Sequence, residues 1–394
     1  MNDSDIKEIV EAVRELVRER VVPLESVIDE TDEMPGELKQ AAAQMGLYGF
    51  ALPEEFGGLG LTMAQEARLV MELGYTTPAF RSLFGTNNGI AGHVLMEGGT
   101  PEQKAAYLPK LASGEWTASF ALTEDEAGSD PAGLRTIATS AIDGFRLTGN
   151  KRYITNAPVA DVFMVFARHG EQAKASRDIS VFLVPSNAPG LAVGPRDKKM
   201  GQHGAWTAEV HLDQVFVPED ALIGGPEGRG NGYLTAMRCL AHGRLHIASL
   251  CVGMAQRLLD ETVSYALQRH QSGKPIAEFQ LIQGMIADSQ TDVYAGRSLV
   301  LDASRAYDDG SDTRMGPSCA KYFASEMVGR VADRAVQVHG GAGYMRGVAV
   351  ERFYRDARLF RIYEGTSQVQ QVVIAKQALN AFRLNLNTPH PSRA

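Results

Sequence analysis

The stretch RIYEGTSQVQ at residues 361–370 sets one carboxylate, Glu364, between Tyr363 and a Gly-Thr-Ser turn. Gly365 is a poor helix former, so helix propensity alone does not account for the three residues. Two chemistries are open to Glu364. It can take a proton as a general base beside an apolar cavity, or it can sit at a helix N-terminus, where the macrodipole favours a negative charge.

Four other stretches carry groups that could hold a ligand. FALTEDEAGSD (120–130) ends a β-like run at Thr123 and continues into a polar, glycine-containing turn, which reads as a source of hydroxyls and free N–H groups or as an acidic surface loop. KRYITNAPVAD (151–161) places an aromatic residue, a β-branched residue, Thr155 and Asn156 before a proline turn. That set suits a planar heterocycle, or simply ends a strand with a core tyrosine. QRHQSGKPIAEFQ (268–280) offers Arg269, whose guanidinium suits bidentate phosphate contact, or which caps a solvated helix end. QVHGGAGYMRG (337–347) is glycine-rich after a helix, as a close backbone approach or a glycine C-cap requires. It lacks a Gly-x-Gly-x-x-Gly after a strand and is no Rossmann fingerprint. His93, His203 and His211 have no metal-ligand spacing, so no metal is expected.

The elements that must position these groups fall into three blocks. Ile6, Val10, Val13, Val17 and Val21 recur at helical spacing up to Pro23. Helical stretches follow near 35–47, 62–73, 86–97 and 101–112. From about residue 117 the period changes. TIATSAIDGFRLTG (136–149) joins two β-rich runs through Asp143-Gly144, a hairpin signal, and strand-like runs follow at 162–167, 179–184 and 208–217. A small barrel or sandwich is the expectation. From about 230 the helical period returns in four stretches, 229–270, 279–308, 318–339 and 363–382, which suggest an antiparallel bundle.

The chain has 394 residues, 44% of them hydrophobic, enough for two or three domains. A formal net charge of -8 argues against a nucleic-acid surface or a polybasic membrane anchor. The acidic start MNDSDIKEIV and the lack of any long apolar run predict neither a secretory signal nor membrane insertion, and a cytoplasmic setting. Cys239, Cys251 and Cys319 read as small core residues.

Taken in order, ALTEDEAGSD, KRYITN, VPEDALIGGPEGRG, GKPIAEFQLIQ, QVHGGAGY and YEGTSQVQ resemble the acyl-CoA dehydrogenase family over nearly the whole chain. The resemblance implies an α+β multidomain fold: an N-terminal α-helical domain (1–117), a middle β-barrel or sandwich domain (118–225) and a C-terminal four-helix bundle (226–394). It implies FAD, a homotetramer, and electron-transferring flavoprotein as acceptor. The implied reaction is α,β-dehydrogenation of an acyl-CoA to a trans-2-enoyl-CoA, with Glu364 as C2 base and the flavin as C3 hydride acceptor. Members that place the base on another helix carry it just before an arginine. The matching pair here is Gly243-Arg244, which has no carboxylate.

By the same resemblance, Leu122, Thr123, Gly128 and Ser129 line the flavin and pantetheine side. Tyr153 stands against the flavin where tryptophan is usual, with Ile154 and Thr155 beside the ring. Arg269 and Gln280 reach FAD across a subunit interface, and Gln337, Gly340 and Gly341 contact it from the partner. Thr366 and Gln368 continue the cofactor site. Ser129, Gly365 and Arg244 lie near the acyl-CoA. Ser272 and Ala241 depart from the family pattern at positions of FAD packing and CoA contact. Arg81-Ser82 matches a pair with which glutaryl-CoA dehydrogenases hold a distal carboxylate; alternatively Arg81 pairs with a protein acid such as Glu72 or caps a helix. The competing functions are a dicarboxylyl-CoA dehydrogenase, a relative with oxidase-type chemistry, and a catalytically idle FAD-binding assembly subunit.

Overall fold

Helices, then strands, then helices follow one another in a computed structural model that describes residues 3–169 and 176–387. The first block comprises α1 (Asp3–Leu16), α2 (Glu25–Thr31), α3 (Gly36–Gln44), α4 (Met63–Leu73), α5 (Pro78–Gly85), α6 (Ala91–Gly98) and α7 (Pro101–Ser113). Local chemistry sets several ends. Thr62 with Gln65 and Thr100 with Gln103 form reciprocal capping boxes at the starts of α4 and α7. Gly114 ends α7 in the left-handed region.

Two expectations are corrected in this block. Pro23 does not end the first helical run: it occupies the first turn of a short 3-10 segment, Val22–Leu24, and the helix resumes as α2. The stretch 86–97 is not one helix either. Thr86–Ile90 is a π-turn between α5 and α6, and it turns Asn87 and Asn88 inward. Asn87 Nδ2 donates to Leu111 O and Trp116 O while its Oδ1 accepts from Ala118 N, which ties the helices to the first strand.

The strands are β1 (Ala118–Ala121), β2 (Ile137–Ala141), β3 (Gly144–Thr155), β4 (Val162–His169), β5 (Ile179–Pro185), β6 (Leu191–Val193) and β7 (Thr207–Pro218). They form a single sheet in the order β1-β4-β2-β3-β7-β6, with β5 on the other edge of β4. β1 and β2 share one edge of β4 in parallel, at its start and its end respectively. The hairpin stands where Asp143-Gly144 predicts it, with Ala141 opposite Gly144. β3 then runs on to Thr155, so KRYIT is strand.

The last block holds α8 (Gly232–Gln268), α9 (Gln280–Asp308), α10 (Met315–His339), α11 (Ala349–Ala357) and α12 (Ser367–Asn387). The predicted helix at 363–382 begins four residues late, because Glu364 and Gly365 both adopt left-handed backbone. Two cores result. One joins α1–α5 to α8–α11. The other lies between the sheet and α6 and α7. α8 belongs to both: Cys239 and Ala236 near its start pack with the sheet, while Leu245–Leu259 pack with the helices.

Candidate active site

Glu364 sits in the turn between the 3-10 segment Arg358–Arg361 and α12. Its φ is 53°, and Gly365 follows at 89°. Such backbone costs on the order of 1 kcal/mol or more in a residue with a Cβ, so something must hold it. Gln370 does: its Nε2 donates to Glu364 O and Gly365 O, both at 3.1 Å. Lys321 of α10 donates from Nζ to Gly365 O at 2.7 Å. A Cβ on Gly365 would collide with the Gln370 amide, which restricts the position to glycine.

The Glu364 carboxylate enters a buried space, and its Oε2 has no hydrogen-bond partner among the described residues. Burial pushes the carboxyl above its ordinary value, while Arg81, Lys321 and Arg244 pull it back down. The Glu364 N–H is also without a partner among the described residues. Facing the carboxylate is Gly243 of α8. A Cβ there would overlap Glu364 Oε2. The sequence marks Gly243 as lacking a carboxylate; the structure adds that the glycine clears the space which the Glu364 carboxylate fills.

Arg81 and Arg244 flank this space. Arg244 is buried, reaches Ser318 Oγ at 3.4 Å, and has Glu364 as its opposing charge. Arg81, on α5, is 8% exposed. It does not pair with Glu72, which Arg14 and Arg18 each hold at 2.9 Å. Arg81 Nη2 donates instead to His246 Nδ1 at 2.9 Å, and its Nε has no partner among the described residues. Burial lowers the Arg81 pKa, and Glu364 is the largest charge opposing that shift.

Behind Arg81 lies a group that the sequence reading missed. His246 Nε2 stands 2.5 Å from Glu66 Oε2, and His242 Nε2 stands 3.0 Å from the same oxygen. Burial depresses the pKa of His242 to about 4 and of His246 to about 3. Two imidazoles and a carboxylate within 4.8 Å resemble a metal-ligand set. The Arg81 bond argues otherwise. A guanidinium only donates, so His246 Nδ1 must be the bare nitrogen and Nε2 carries the proton. A metal on Nε2 would need the reverse tautomer, with Nδ1–H facing the Arg81 donors. His242 and His246 are four apart on one helix face, a signal the sequence does carry; Glu66 lies far away on α4 and has none.

On the sheet side, the acidic stretch after β1 is not a loose surface loop. Glu124 is buried and accepts from Lys151 Nζ at 2.8 Å, Thr136 Oγ1 at 2.6 Å and Thr136 N at 2.9 Å. Burial lowers the Lys151 pKa to about 8 against the pull of Glu124. Lys151 also donates to Leu122 O. Thr123 stays partly accessible, and Gly128 and Ser129 are exposed. The pairing of β3 with β7 slips between Lys151 and Ile154. In that bulge Tyr153 takes φ 57° and its ring stands out, 61% exposed, while Ile154 is buried. Asn156, just after Thr155, donates to Ser82 O and Thr86 Oγ1. That bond sets the end of β3 against α5 and Arg81.

The remaining predicted residues fall in two groups, one directly after Glu364 and one at the far end of α8. Thr366 Oγ1 accepts from Val369 N at the start of α12, and Gln368 is exposed. Arg269, Gln280, Gln337, Gly340 and Gly341 are all exposed at the other end of the bundle. There Tyr265 of α8 stacks on His339 of α10 with ring centroids 4.2 Å apart. Along α8, Arg269 lies about 37 Å beyond Arg244 at 1.5 Å per residue.

Three family models match the chain in order: "Acyl-CoA dehydrogenase, N-terminal domain" over residues 3–115, "Acyl-CoA dehydrogenase, middle domain" over 119–215, and "Acyl-CoA dehydrogenase, C-terminal domain" over 230–379. The chain is 37% identical over 366 residues to 3-(aryl)acrylate reductase of Clostridium sporogenes, covering 93% of this chain and 96% of that protein. It is 37% identical over 374 residues to an acyl-CoA dehydrogenase of Bacillus subtilis, with coverage of 93% and 96%. A caffeyl-CoA reductase-Etf complex subunit of Acetobacterium woodii is 38% identical over 352 residues, with coverage of 89% and 92%. Among solved structures, butyryl-CoA dehydrogenase from Megasphaera elsdenii superposes with a TM-score of 0.91 at 31% identity, covering 96% of this chain and 99% of that one. A glutaryl-coenzyme A dehydrogenase in complex with glutaryl-CoA gives 0.89 at 31% identity, with 96% of each chain covered. A glutaryl-CoA dehydrogenase from Mycobacterium smegmatis in complex with FADH2 gives 0.89 at 28% identity, covering 96% and 95%.

Proposed function

The chain belongs to the acyl-CoA dehydrogenase family, and from that premise we propose that it oxidises an acyl-CoA to the trans-2-enoyl-CoA with Glu364 as the base. The observation that carries this reading is the buried, partner-free Oε2 of Glu364, held on strained backbone and faced by Arg81, Arg244 and Lys321. A carboxylate with a raised pKa is better matched to taking a proton from carbon near neutral pH than an ordinary one. The unpaired Glu364 N–H is available to the thioester oxygen, where negative charge grows as the C2 proton leaves.

The residues present fit FAD. The bulge presents the Tyr153 ring to a planar partner. Gly128, Gly340 and Gly341 have open space where a Cβ would stand, so backbone can approach a phosphate or ring closely. Leu122, Thr123 and Ser129 with Ile154 and Thr155 would line the ring and pantetheine side, and Thr366 and Gln368 would continue the site after the base. FAD supplies the hydride acceptor for C3, chemistry that no side chain provides. The chain's own part is to bind and orient the thioester, exclude water and hold the proton on Glu364.

Arg269, Gln280, Gln337, Gly340 and Gly341 lie too far from Glu364 to serve it within one chain, and Arg269 makes no side-chain hydrogen bond among the described residues. They would complete a neighbour's cofactor site, in a homotetramer with the three-domain division 1–117, 118–225 and 226–394. Electron-transferring flavoprotein is the proposed acceptor, in keeping with the Etf complex named for the Acetobacterium woodii relative. The setting proposed is cytoplasmic; among the described residues no helix is long and apolar enough to cross a membrane.

A second reading concerns the substrate. A buried guanidinium whose hydrogen bond goes to a neutral imidazole, with Nε unpaired, is suited to a substrate carboxylate. A dicarboxylyl-CoA would supply one.

Anaerobic titration of the holo-protein with a panel of acyl-CoAs tests both readings. Bleaching of the flavin by at least one acyl-CoA is expected; a panel without effect would leave an idle FAD-binding subunit. On the second reading glutaryl-CoA exceeds butyryl-CoA in kcat/KM, and Arg81→Met reverses the order. A preference for neutral chains that Arg81→Met leaves unchanged would remove it. Sedimentation of the holo-protein as a monomer of 42.6 kDa would contradict the shared cofactor site.

A further inference from the structure

We infer that His246 is a positioning residue for proton abstraction: its Nδ1 holds the Arg81 guanidinium near Glu364, so that the Arg81 charge sets the proton affinity of the base. The inference rests on the reading of Glu364 as that base.

The chain of bonds has one consistent assignment. Arg81 Nη2 donates to His246 Nδ1 at 2.9 Å, and His246 Nε2–H donates to Glu66 Oε2 at 2.5 Å. His242 Nε2, on the preceding turn of α8, stands 3.0 Å from the same carboxylate oxygen. Cation, neutral ring and anion follow one another, and Arg81, His246 and Glu66 are all buried. The imidazole is therefore held on one side by Glu66 of α4 and presents a bare Nδ1 to the cation on α5. Two glycines close the slot. A Cβ on Gly89 would stand 3.2 Å from Arg81 Nη2 and 3.5 Å from His246 Nδ1, and a Cβ on Gly85 would stand 2.7 Å from Arg81 Cζ. The guanidinium thus packs directly against the backbone of Gly85 and Gly89 while it donates to His246.

The other charges around these groups are fixed as well. Glu364 faces Arg244 of α8 and Lys321 of α10, with Tyr363 next to it in the chain. Cys251 of α8 acts electrostatically on Lys321 and Tyr363. Glu66 faces His242, and Asp308 at the end of α9 also acts on it. His93 of α6 stacks on His242 with ring centroids 4.2 Å apart and reaches Glu97 at 3.6 Å. Of these, Arg81 is the cation whose placement depends on His246. An opposite charge this near a carboxylate lowers its pKa, so a displaced Arg81 leaves Glu364 more readily protonated.

Two substitutions separate placement from packing. In His246→Asn the amide oxygen falls near Nδ1 and still accepts from Arg81. In His246→Gln the amide nitrogen falls near Nε2 and still donates to Glu66, but no acceptor stands at Nδ1. The readout is the pH dependence of anaerobic flavin reduction by an acyl-CoA in the FAD-loaded enzyme. We expect the acid limb to move to higher pH by about half a unit or more in His246→Gln, and to stay in place in His246→Asn. Equal shifts in both variants, or none in either, would overturn the inference. Should His246→Gln not be recovered with FAD, Gly89→Ala presses a methyl group on the same bond; an upward shift then supports the inference, and an unchanged profile overturns it. Failure of the base assignment itself is separate, because Glu364→Gln would then still reduce the flavin at wild-type speed.

Discussion

A carboxylate becomes a useful base for a carbon acid when it is buried, unpaired and held in one place. Glu364 meets the first two conditions through its orphaned Oε2, and Gln370, Lys321 and Gly243 meet the third. Gly243 is the most exacting of these, since any side chain there takes the carboxylate's place. Gly243→Ala should therefore fold and retain FAD, yet lose flavin reduction by about 10²-fold, the order of effect expected for a misplacement near 1 Å. Reduction at wild-type speed would show that Glu364 has another position to react from. The pH sign follows from the same environment. A raised pKa means that proton abstraction fails as pH falls through that value, at a higher pH than an unburied glutamate would show. Glu364 is legible in the sequence because Gly365, a poor helix former, marks a break beside it, although the helical period runs through both residues. Glu66 and Lys321 are not, since each looks like an ordinary charged helix residue until the fold buries it.

Among the elements, the long β3 strand links the sheet to α5. Its bulge turns Tyr153 outward, its Lys151 anchors Glu124 and the loop before β2, and Asn156 just beyond it fixes α5. Breaking a buried ion pair by removing one partner strands the other charge. Lys151→Met should thus cost about 3–5 kcal/mol, read as a lower denaturation midpoint; an unchanged midpoint would mean that water reaches Glu124. The hairpin at Asp143-Gly144 and the capped helices α4 and α7 are plain in the sequence, because short-range turn and cap chemistry specifies them. The π-turn at Thr86–Ile90 is not. Asn87 and Asn88 look like surface residues in a helical run, and only their long-range bonds to Trp116 O and Leu47 O explain them. The bulge is equally silent, since it depends on the register with β7.

For the whole molecule, the three blocks have separate tasks. The first supplies Arg81, the sheet supplies the Tyr153 face, and the last supplies Glu364 with Gly243 and Lys321. The order of blocks is legible from periodicity alone, whereas the relation of the two ends of α8 is not. Glu364 faces Gly243 in the first half of α8, whereas Arg269 lies just past its far end with Gly340 nearby, so a cofactor site that uses both would need a second copy of the chain. All of this turns on the role of one residue. The most direct measurement is rapid anaerobic mixing of FAD-loaded Glu364→Gln with an acyl-CoA that bleaches the wild type, followed by flavin absorbance. The amide is nearly isosteric and has almost no basicity. The account predicts that the variant holds FAD and binds the acyl-CoA while reduction slows by about 10²–10⁴-fold or more. Reduction at close to wild-type speed would contradict it.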